Sequence, residues 1–362
     1  MAEELFRLTN GGVATLLICI AIVLSKSLHG RYTFDDRFGP QKLHEHPTPR
    51  VGGLAIVMGL LVSYAYAPIA VRELLKPMII AAMPAFLFGL AEDLSRRVRW
   101  QERLLATICS GVLAWWLTGI AVTRVDVPLV DQVLGLAPVA VLFTAFAIGG
   151  IANAFNMIDG LHGLSAGTAI ICLVAAAVIA GLNADVVLVH LSLMVVLVLM
   201  GFLLVNFPFG KIFMGDGGAY LMGFVVGWVA VLLPVRNPEV SPFASLVILA
   251  YPVTEVLVSV ARRRLRAHVP AHPDRLHLHS LLRSRIGRKL FSKVSRDWQN
   301  ALVTPLIWLG VGVSAVAAVA AHRSTGLLVL MLGAMGLAYV AAYVWLLGFL
   351  GRIRRFGRAD RA

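Results

Sequence analysis

The stretch NAFNMIDGLHGLSAG, residues 153–167, places two asparagines, an aspartate and a histidine between two apolar runs. These runs, at 138–157 and 164–182, are each long enough to cross a bilayer as a helix. Polar side chains are costly at membrane depth, so those that occur in or beside a span are candidates for function. The stretch therefore predicts two consecutive membrane helices with a functional site near their junction.

Apolar runs of this kind recur along the whole chain. Of its 362 residues, 59% are hydrophobic and only 14% are charged, which is unlike a soluble globular protein. The sequence predicts an all-α, polytopic membrane helix bundle that forms a single domain over residues 1–362. Eleven spans are expected, at 8–26, 51–70, 75–91, 103–120, 138–157, 164–182, 185–207, 217–234, 242–260, 301–321 and 325–349.

The basic residues predict the orientation of these spans. Of the 32 lysines and arginines, 26 lie in the segments 26–50, 92–103, 208–216, 261–300 and 351–362. By the positive-inside rule these segments face the cytoplasm, with the N-terminus outside and the C-terminus inside. The formal charge of +13 therefore belongs mainly to one membrane face and does not indicate nucleic-acid binding. It either serves topology alone or also attracts an anionic lipid head group or substrate.

Acidic, amide and histidine side chains gather on the same predicted face. They are Glu92 and Asp93, Asn156 and Asp159, Asp216, and Asp274, Arg275, His277 and His279. Any one of these clusters alone is also typical of a turn, a helix cap or an exposed strand. Their convergence beside basic loops favours a site for phosphate chemistry with a divalent metal, since carboxylate and amide oxygens suit Mg²⁺. No Walker-type phosphate-binding motif occurs, so ATP hydrolysis is not indicated.

Five ordered motifs identify a family resemblance. They are KLHEHPTPRVGG (42–53), the acidic pair 92–93, NAFNMIDGLHGL (153–164), FMGDGG (213–218) and PDRLHLH (273–279). In this order the chain resembles the polyprenyl-phosphate N-acetylhexosamine-1-phosphate transferases, which are distant relatives of the muramoyl-pentapeptide phosphotransferase of peptidoglycan synthesis. The resemblance implies transfer of a sugar 1-phosphate from a UDP-N-acetylhexosamine to undecaprenyl phosphate, with release of UMP. It also implies a bacterial cytoplasmic (inner) membrane enzyme whose active site faces the cytoplasm and which starts O-antigen-type polysaccharide synthesis.

The same resemblance implies roles for individual residues. Asp216 and Asn156 are expected to bind Mg²⁺, with Mn²⁺ as an alternative cofactor, and Glu92, Asp93 and Asp159 are expected to be catalytic. Substrate contacts are expected from Lys42, Asn153, His162, Arg275, His277 and His279. Besides the two substrates, the partners are membrane lipids; a homodimer is left open.

Three positions differ from the usual family pattern. The acidic pair begins with Glu92 where an aspartate is usual, His162 replaces a second aspartate of the DGxDG element, and Ser280 stands where a third histidine is often found. Glu255, inside the ninth predicted span, is equally compatible with a helix-packing hydrogen bond and with a role in the site. UDP-N-acetylglucosamine is the first expectation for the donor, and the sugar itself cannot be derived from the residues.

A transporter or lipid flippase is the main alternative from another functional class. Such a protein is expected to carry ionisable groups along a path through the bilayer midplane. Here only Glu255 and His190 lie well inside predicted spans, whereas the other candidates lie at one face. The distribution of polar residues therefore favours an enzyme.

Overall fold

The computed structural model describes residues 2–35, 47–265, 276–287 and 293–359. The predicted all-α fold is confirmed for these residues, which form a helix bundle with one short antiparallel strand pair. The helices are α1 Ala2–Leu24, α2 Lys26–Thr33, α3 Gly52–Tyr66, α4 Ile69–Ser95, α5 Trp100–Thr118, α6 Pro128–Leu134, α7 Ala137–Ile158, α8 Leu164–Leu182, α9 Val186–Asn206, α10 Gly215–Arg236, α11 Pro242–Ile248, α12 Ala250–Leu265, α13 Leu278–Leu282, α14 Arg296–Ala321 and α15 Thr325–Ala359. The strands are β1 Phe34–Asp35 and β2 Thr48–Pro49, and a π-helical turn, Arg283–Gly287, follows α13.

Eight of the described helices are long and apolar enough to span a membrane: α1, α4, α7, α8, α9, α10, α14 and α15. Helices α11 and α12 meet at a bend of 76° and count as a ninth span if taken together. The other two predicted spans correspond to α3, which has 15 residues, and to α5, whose first turn carries Glu102 and Arg103. All eleven predicted segments are thus helical, while the count of eleven crossings stays a prediction.

Several helices extend beyond their apolar segments. Helix α4 runs to Ser95 and ends where Arg96 adopts a left-handed conformation with φ 55°. The acidic pair therefore lies in the last turn of α4, and the loop predicted at 92–103 shrinks to residues 96–99. Helix α15 likewise continues to Ala359, through most of the predicted tail 351–362. Hydropathy marks only the apolar part of a helix, whereas backbone hydrogen bonding continues into polar residues.

Helix α10 lies at the centre of the bundle, packed against α3, α4, α7 and α8, and is the most buried of the eight candidate spans. Its first turn touches α4 through glycines. A β-carbon on Gly89 would lie 2.6 Å from the main chain of Gly217, closer than any side chain tolerates. This contact fixes the start of α10 against the end of α4.

The opposite end of the bundle has its own polar contacts. Arg236 binds Asp185 at 2.7 Å, and the Asp126 carboxylate accepts hydrogen bonds from Ser241 at 2.7 Å and from Thr325 at 2.6 Å. These bonds tie together loops between helices. The acidic pair and the FMGDGG motif lie at the other end of the bundle.

Candidate active site

One end of the bundle brings together the C-termini of α4 and α7, the N-termini of α5 and α10, and α13. The acidic pair, the Asp159 turn, Asp216 and the two histidines predicted as site residues all lie on these elements or beside them. Residues far apart in sequence thus converge at one end, as predicted.

Asp93 caps the N-terminus of α10. Its Oδ1 accepts a hydrogen bond from the main-chain N–H of Asp216 and its Oδ2 accepts one from Gly217, both at 2.9 Å. A carboxylate is favoured here because the first N–H groups of a helix lack partners within the helix and carry partial positive charge. Asp93 is 6% exposed, so it holds the GDGG turn from inside the protein.

The turn itself depends on Gly215. Its φ is +75°, and a β-carbon would lie 2.2 Å from the carbonyl oxygen of Arg50 and 2.5 Å from Asp93 Oδ2. The PTPRVGG segment follows the turn closely, since Gly52 and Gly53 donate to the carbonyls of Phe213 and Met214, each at 3.0 Å. The two motifs are therefore one structural unit in the described chain.

Two arginines face the Asp216 carboxylate. Arg50 Nη2 lies 3.3 Å from Asp216 Oδ1 and 3.3 Å from Asp93 Oδ1. Arg103, in the first turn of α5, forms an ion pair with Asp216 Oδ2 and lies over the ring of Tyr220. A guanidinium is the side chain best suited to bind carboxylate and phosphate oxygens. The structure thus surrounds Asp216 with phosphate-binding groups.

Asp159 follows the last residue of α7 and belongs to the same electrostatic cluster. Withdrawal from water, together with the nearby carboxylates of Asp216 and Asp93, raises the pKa of its carboxyl to about 7 against the opposing effect of Arg50. Like charges placed close together favour a bound cation or proton. The amide of Asn156, one turn back, has no hydrogen-bond partner among the described residues and is partly exposed.

The two histidines lie beside the Asp159 turn. The rings of His277 and His279 stack with centroids 5.4 Å apart, and His279 Nε2 lies against Gly160. His279 is 3% exposed, and its Nδ1 has no hydrogen-bond partner within the described part of the chain. Burial lowers the pKa of His279 to about 4, so its ring is neutral at physiological pH. The alternative of an exposed strand is wrong, because Leu278 and His279 begin α13 and are buried.

Glu92 contacts the turn that follows α4. Its Oε2 accepts a hydrogen bond from the main-chain N–H of Val98 at 2.9 Å, which closes the short turn between α4 and α5. The two members of the acidic pair therefore make different contacts. Asp93 organises the start of α10, and Glu92 organises the loop.

Two other predicted substrate residues make contacts within the protein. The Asn153 amide donates to Thr107 at 3.1 Å and to the carbonyl of Gly149 at 2.8 Å, which links α7 to α5. His162 is 5% exposed; its Nδ1 lies 3.1 Å from the carbonyl oxygen of Pro208, and its ring packs near Phe213. Their substrate contacts stay predictions. Lys42 and Arg275 lie outside the described residues.

Sequence reasoning did not single out Arg103 or the ion pairs of Arg50. Arg103 had one recognisable feature, a charge in the first turn of an otherwise apolar helix, in WQERLL. Its partner, however, is 113 positions away in the chain. Only the packing of α5 against α4 and α10 shows that this arginine belongs to the site.

The residues of this site suit a divalent cation that is bound partly by the protein and partly by the phosphate oxygens of a substrate. No group of three or more His, Cys, Asp or Glu side chains in the described ranges is placed to hold a metal ion alone. Mg²⁺, however, is usually bound by one or two carboxylates together with substrate phosphates and waters. Asp216 and Asp159, with the unpartnered amide of Asn156, offer this donor chemistry beside two arginines.

The chain is similar to proteins named as sugar 1-phosphate transferases. The profile of glycosyl transferase family 4 matches residues 75–234. A Bacillus subtilis protein named "Probable undecaprenyl-phosphate N-acetylglucosaminyl 1-phosphate transferase" is 29% identical over 285 residues, 77% of this chain and 78% of its own length. The decaprenyl-phosphate N-acetylglucosaminephosphotransferase of Mycolicibacterium smegmatis is 28% identical, covering 74% of this chain and 71% of its own. The undecaprenyl-phosphate alpha-N-acetylglucosaminyl 1-phosphate transferase of Salmonella typhi is 24% identical, covering 74% of each.

Proposed function

We propose that this chain, which matches the profile of glycosyltransferase family 4 over residues 75–234, transfers an N-acetylhexosamine 1-phosphate from a UDP-sugar to undecaprenyl phosphate. UDP-N-acetylglucosamine is the proposed donor, because the relatives compared above are named for N-acetylglucosamine. The observation that carries the proposal is the cluster of Asp93, Asp159 and Asp216 with Arg50 and Arg103 at one end of an apolar helix bundle.

The reaction is an exchange of one diphosphate bond for another. An oxygen of the lipid phosphate forms a bond to the sugar-bearing phosphorus of the donor. The bond from that phosphorus to the bridging oxygen breaks, and the oxygen leaves with UMP. Neither water nor ATP is consumed, which agrees with the absence of a Walker-type motif from the sequence.

The residues divide this work by their positions. Arg50 and Arg103 are proposed to bind phosphate oxygens, and the N-terminus of α10 adds its partial positive charge. His277 and His279 are proposed to face the donor diphosphate from the side of the Asp159 turn. Asp216, Asn156 and Asp159 would hold Mg²⁺ or Mn²⁺. When bound, the metal supplies charge neutralisation on the phosphoryl oxygens.

The membrane setting follows from the same proposal. The active-site end is proposed to face the cytoplasm, where the basic segments are expected and where nucleotide sugars are made, with eleven spans across the bacterial inner membrane. The acceptor phosphate would lie at the interface while its polyprenyl tail stays in lipid. The product would start a lipid-linked, O-antigen-type polysaccharide.

UMP release by the purified protein in detergent tests the proposal. We expect release that requires undecaprenyl phosphate, a UDP-N-acetylhexosamine and Mg²⁺, and that stops when EDTA is added. A panel of UDP-sugars identifies the donor from the highest kcat/KM. A folded sample that releases no UMP with any donor would contradict the transferase, and transport of lipid without UMP release would favour a flippase.

Gly160→Ala tests the placement of His279. The new β-carbon would lie 2.7 Å from His279 Nε2, and the ring cannot retreat easily because it is buried and stacked on His277. We expect kcat/KM to fall by about 10-fold or more, since a shift of about 1 Å in a positioned group costs up to about 10²-fold. Gly150→Ala is the control, because nothing lies within 4 Å of its β-carbon. Equal kcat/KM values for the two variants would show that His279 does not contribute to the site.

A further inference from the structure

Glu255 is the most buried acidic residue in the described part of the chain, and the proposed chemistry leaves it without a role. It lies on α12 and is 1% exposed. A buried carboxylate without partners is very unfavourable, so its contacts indicate what it is for. Three hydrogen bonds satisfy it, and all come from outside its own helix.

Two of these bonds hold the histidine segment. Glu255 Oε1 lies 3.0 Å from His277 Nδ1 and accepts a hydrogen bond from the main-chain N–H of Leu278 at 3.1 Å. The third bond comes from α15, where the Tyr339 hydroxyl donates to Glu255 Oε2 at 2.7 Å. The carboxylate therefore fixes both the ring of His277 and the start of α13.

A second charged residue of α12 holds the same segment from the next turns. Arg262 Nη1 donates to the carbonyl oxygen of Leu276 at 2.7 Å and to the Tyr343 hydroxyl at 2.6 Å. Glu255 makes two contacts to residues 276–278 and Arg262 makes one, and each of them also contacts one tyrosine of α15. Two helices clamp the segment on both sides of His277.

The clamp is connected to the reaction site. His277 stacks on His279, and His279 lies against Gly160, next to Asp159. A displacement of His277 would therefore move the face that the histidines present to the Asp159 turn. A histidine whose Nδ1 is hydrogen-bonded to a carboxylate is also fixed in tautomer, with Nε2 left to face a ligand.

We propose that Glu255, supported by Tyr339, is a positioning residue that orients His277 and His279 toward the donor diphosphate. The inference rests on the proposed transferase function. Glu255 then has both of the roles that its sequence position suggested. The carboxylate packs helices together and, through that packing, serves the site. Glu255 does not touch a substrate and acts through His277.

The test is a double-mutant cycle in the UMP-release assay, with Glu255→Gln, His277→Ala and the double variant. Glutamine keeps the shape but removes the negative charge, and its single oxygen can serve His277 and Leu278 only if its NH₂ group replaces the oxygen to which Tyr339 donates. We expect Glu255→Gln to raise KM for the UDP-sugar and lower kcat/KM by about 10²-fold, with KM for the lipid unchanged. Because both changes remove one function, the double variant is expected to be no slower than His277→Ala.

Additive losses in the double variant, or a Glu255→Gln enzyme with wild-type KM for the donor, would overturn the positioning role. An inactive wild-type protein would instead overturn the proposed function, so the two failures are distinguishable. If Glu255→Gln does not fold, Tyr339→Phe replaces it, since it keeps the carboxylate and removes one hydrogen bond. Tyr66→Phe, the same chemical change on an exposed ring of α3, is its control and is expected to be neutral. A Tyr339→Phe variant that matches this control would also overturn the role.

Discussion

Replacing Asp216 with asparagine is expected to lower the rate of UMP release by at least about 10³-fold, the upper range for loss of one preorganised electrostatic group. Asp216 is the carboxylate that both arginines of the site contact. It begins α10, faces Arg50 and Arg103, and is the proposed ligand of the metal. An amide of the same shape removes the charge that binds a cation and orders both arginines.

Asp185→Asn is the matched control for this variant. Asp185 is also an aspartate at a helix N-terminus that is paired with an arginine, since it caps α9 and binds Arg236 at 2.7 Å. It lies at the other end of the bundle, so its loss should affect thermal stability and leave kcat almost unchanged. Mn²⁺ binding, followed by titration, should weaken in Asp216→Asn alone. An Asp216→Asn protein that keeps even a tenth of wild-type activity would refute the metal assignment.

The acidic pair is expected to behave asymmetrically. In Asp93→Asn only one side-chain oxygen remains for the two N–H groups of Asp216 and Gly217, so a buried N–H faces an NH₂ group. Such a mismatch costs about 1–3 kcal/mol of stability. It also displaces the turn that carries Asp216, and a shift of about 1 Å there is expected to lower kcat by about 10²-fold.

Glu92→Gln should have a much smaller effect. A glutamine oxygen can still accept the hydrogen bond from Val98, and Glu92 forms no hydrogen bond with Asp216 in the described part of the chain. We expect a change of about threefold or less, in line with substitutions that leave contacts intact. Kinetics and thermal unfolding of both variants test the asymmetry. Equal losses of activity in Asp93→Asn and Glu92→Gln would show that the pair acts as one unit.

The sequence was sufficient to predict which segments are helices and that the candidate site residues gather at one end of the bundle. Long apolar runs leave little choice of secondary structure, and the distribution of lysines and arginines assigns Asp93, Asp159 and Asp216 to one face. The structure brings all three to that end. Hydropathy was less informative about helix ends, because α4 and α15 continue as helices beyond their apolar parts.

Sequence patterns did not predict which side chains contact one another. A helix cap was one alternative for the cluster at Asp216, whereas in the structure Asp93 caps that helix and the Asp216 side chain faces arginines. Tyr339 is 84 positions from Glu255, and nothing in its local sequence distinguishes it from other tyrosines in an apolar helix. Such pairs are determined by how helices pack, which residue spacing along one helix does not encode.

The central position of α10 has a consequence for changing what the enzyme accepts. Asp216, the proposed metal ligand, lies in the first turn of a buried helix that is held by glycine contacts to its neighbours. The histidine segment is attached separately, through side chains of α12 and α15. On the proposed function, the histidine segment and its two supporting helices can therefore be redesigned for a different sugar while α10 is left unchanged.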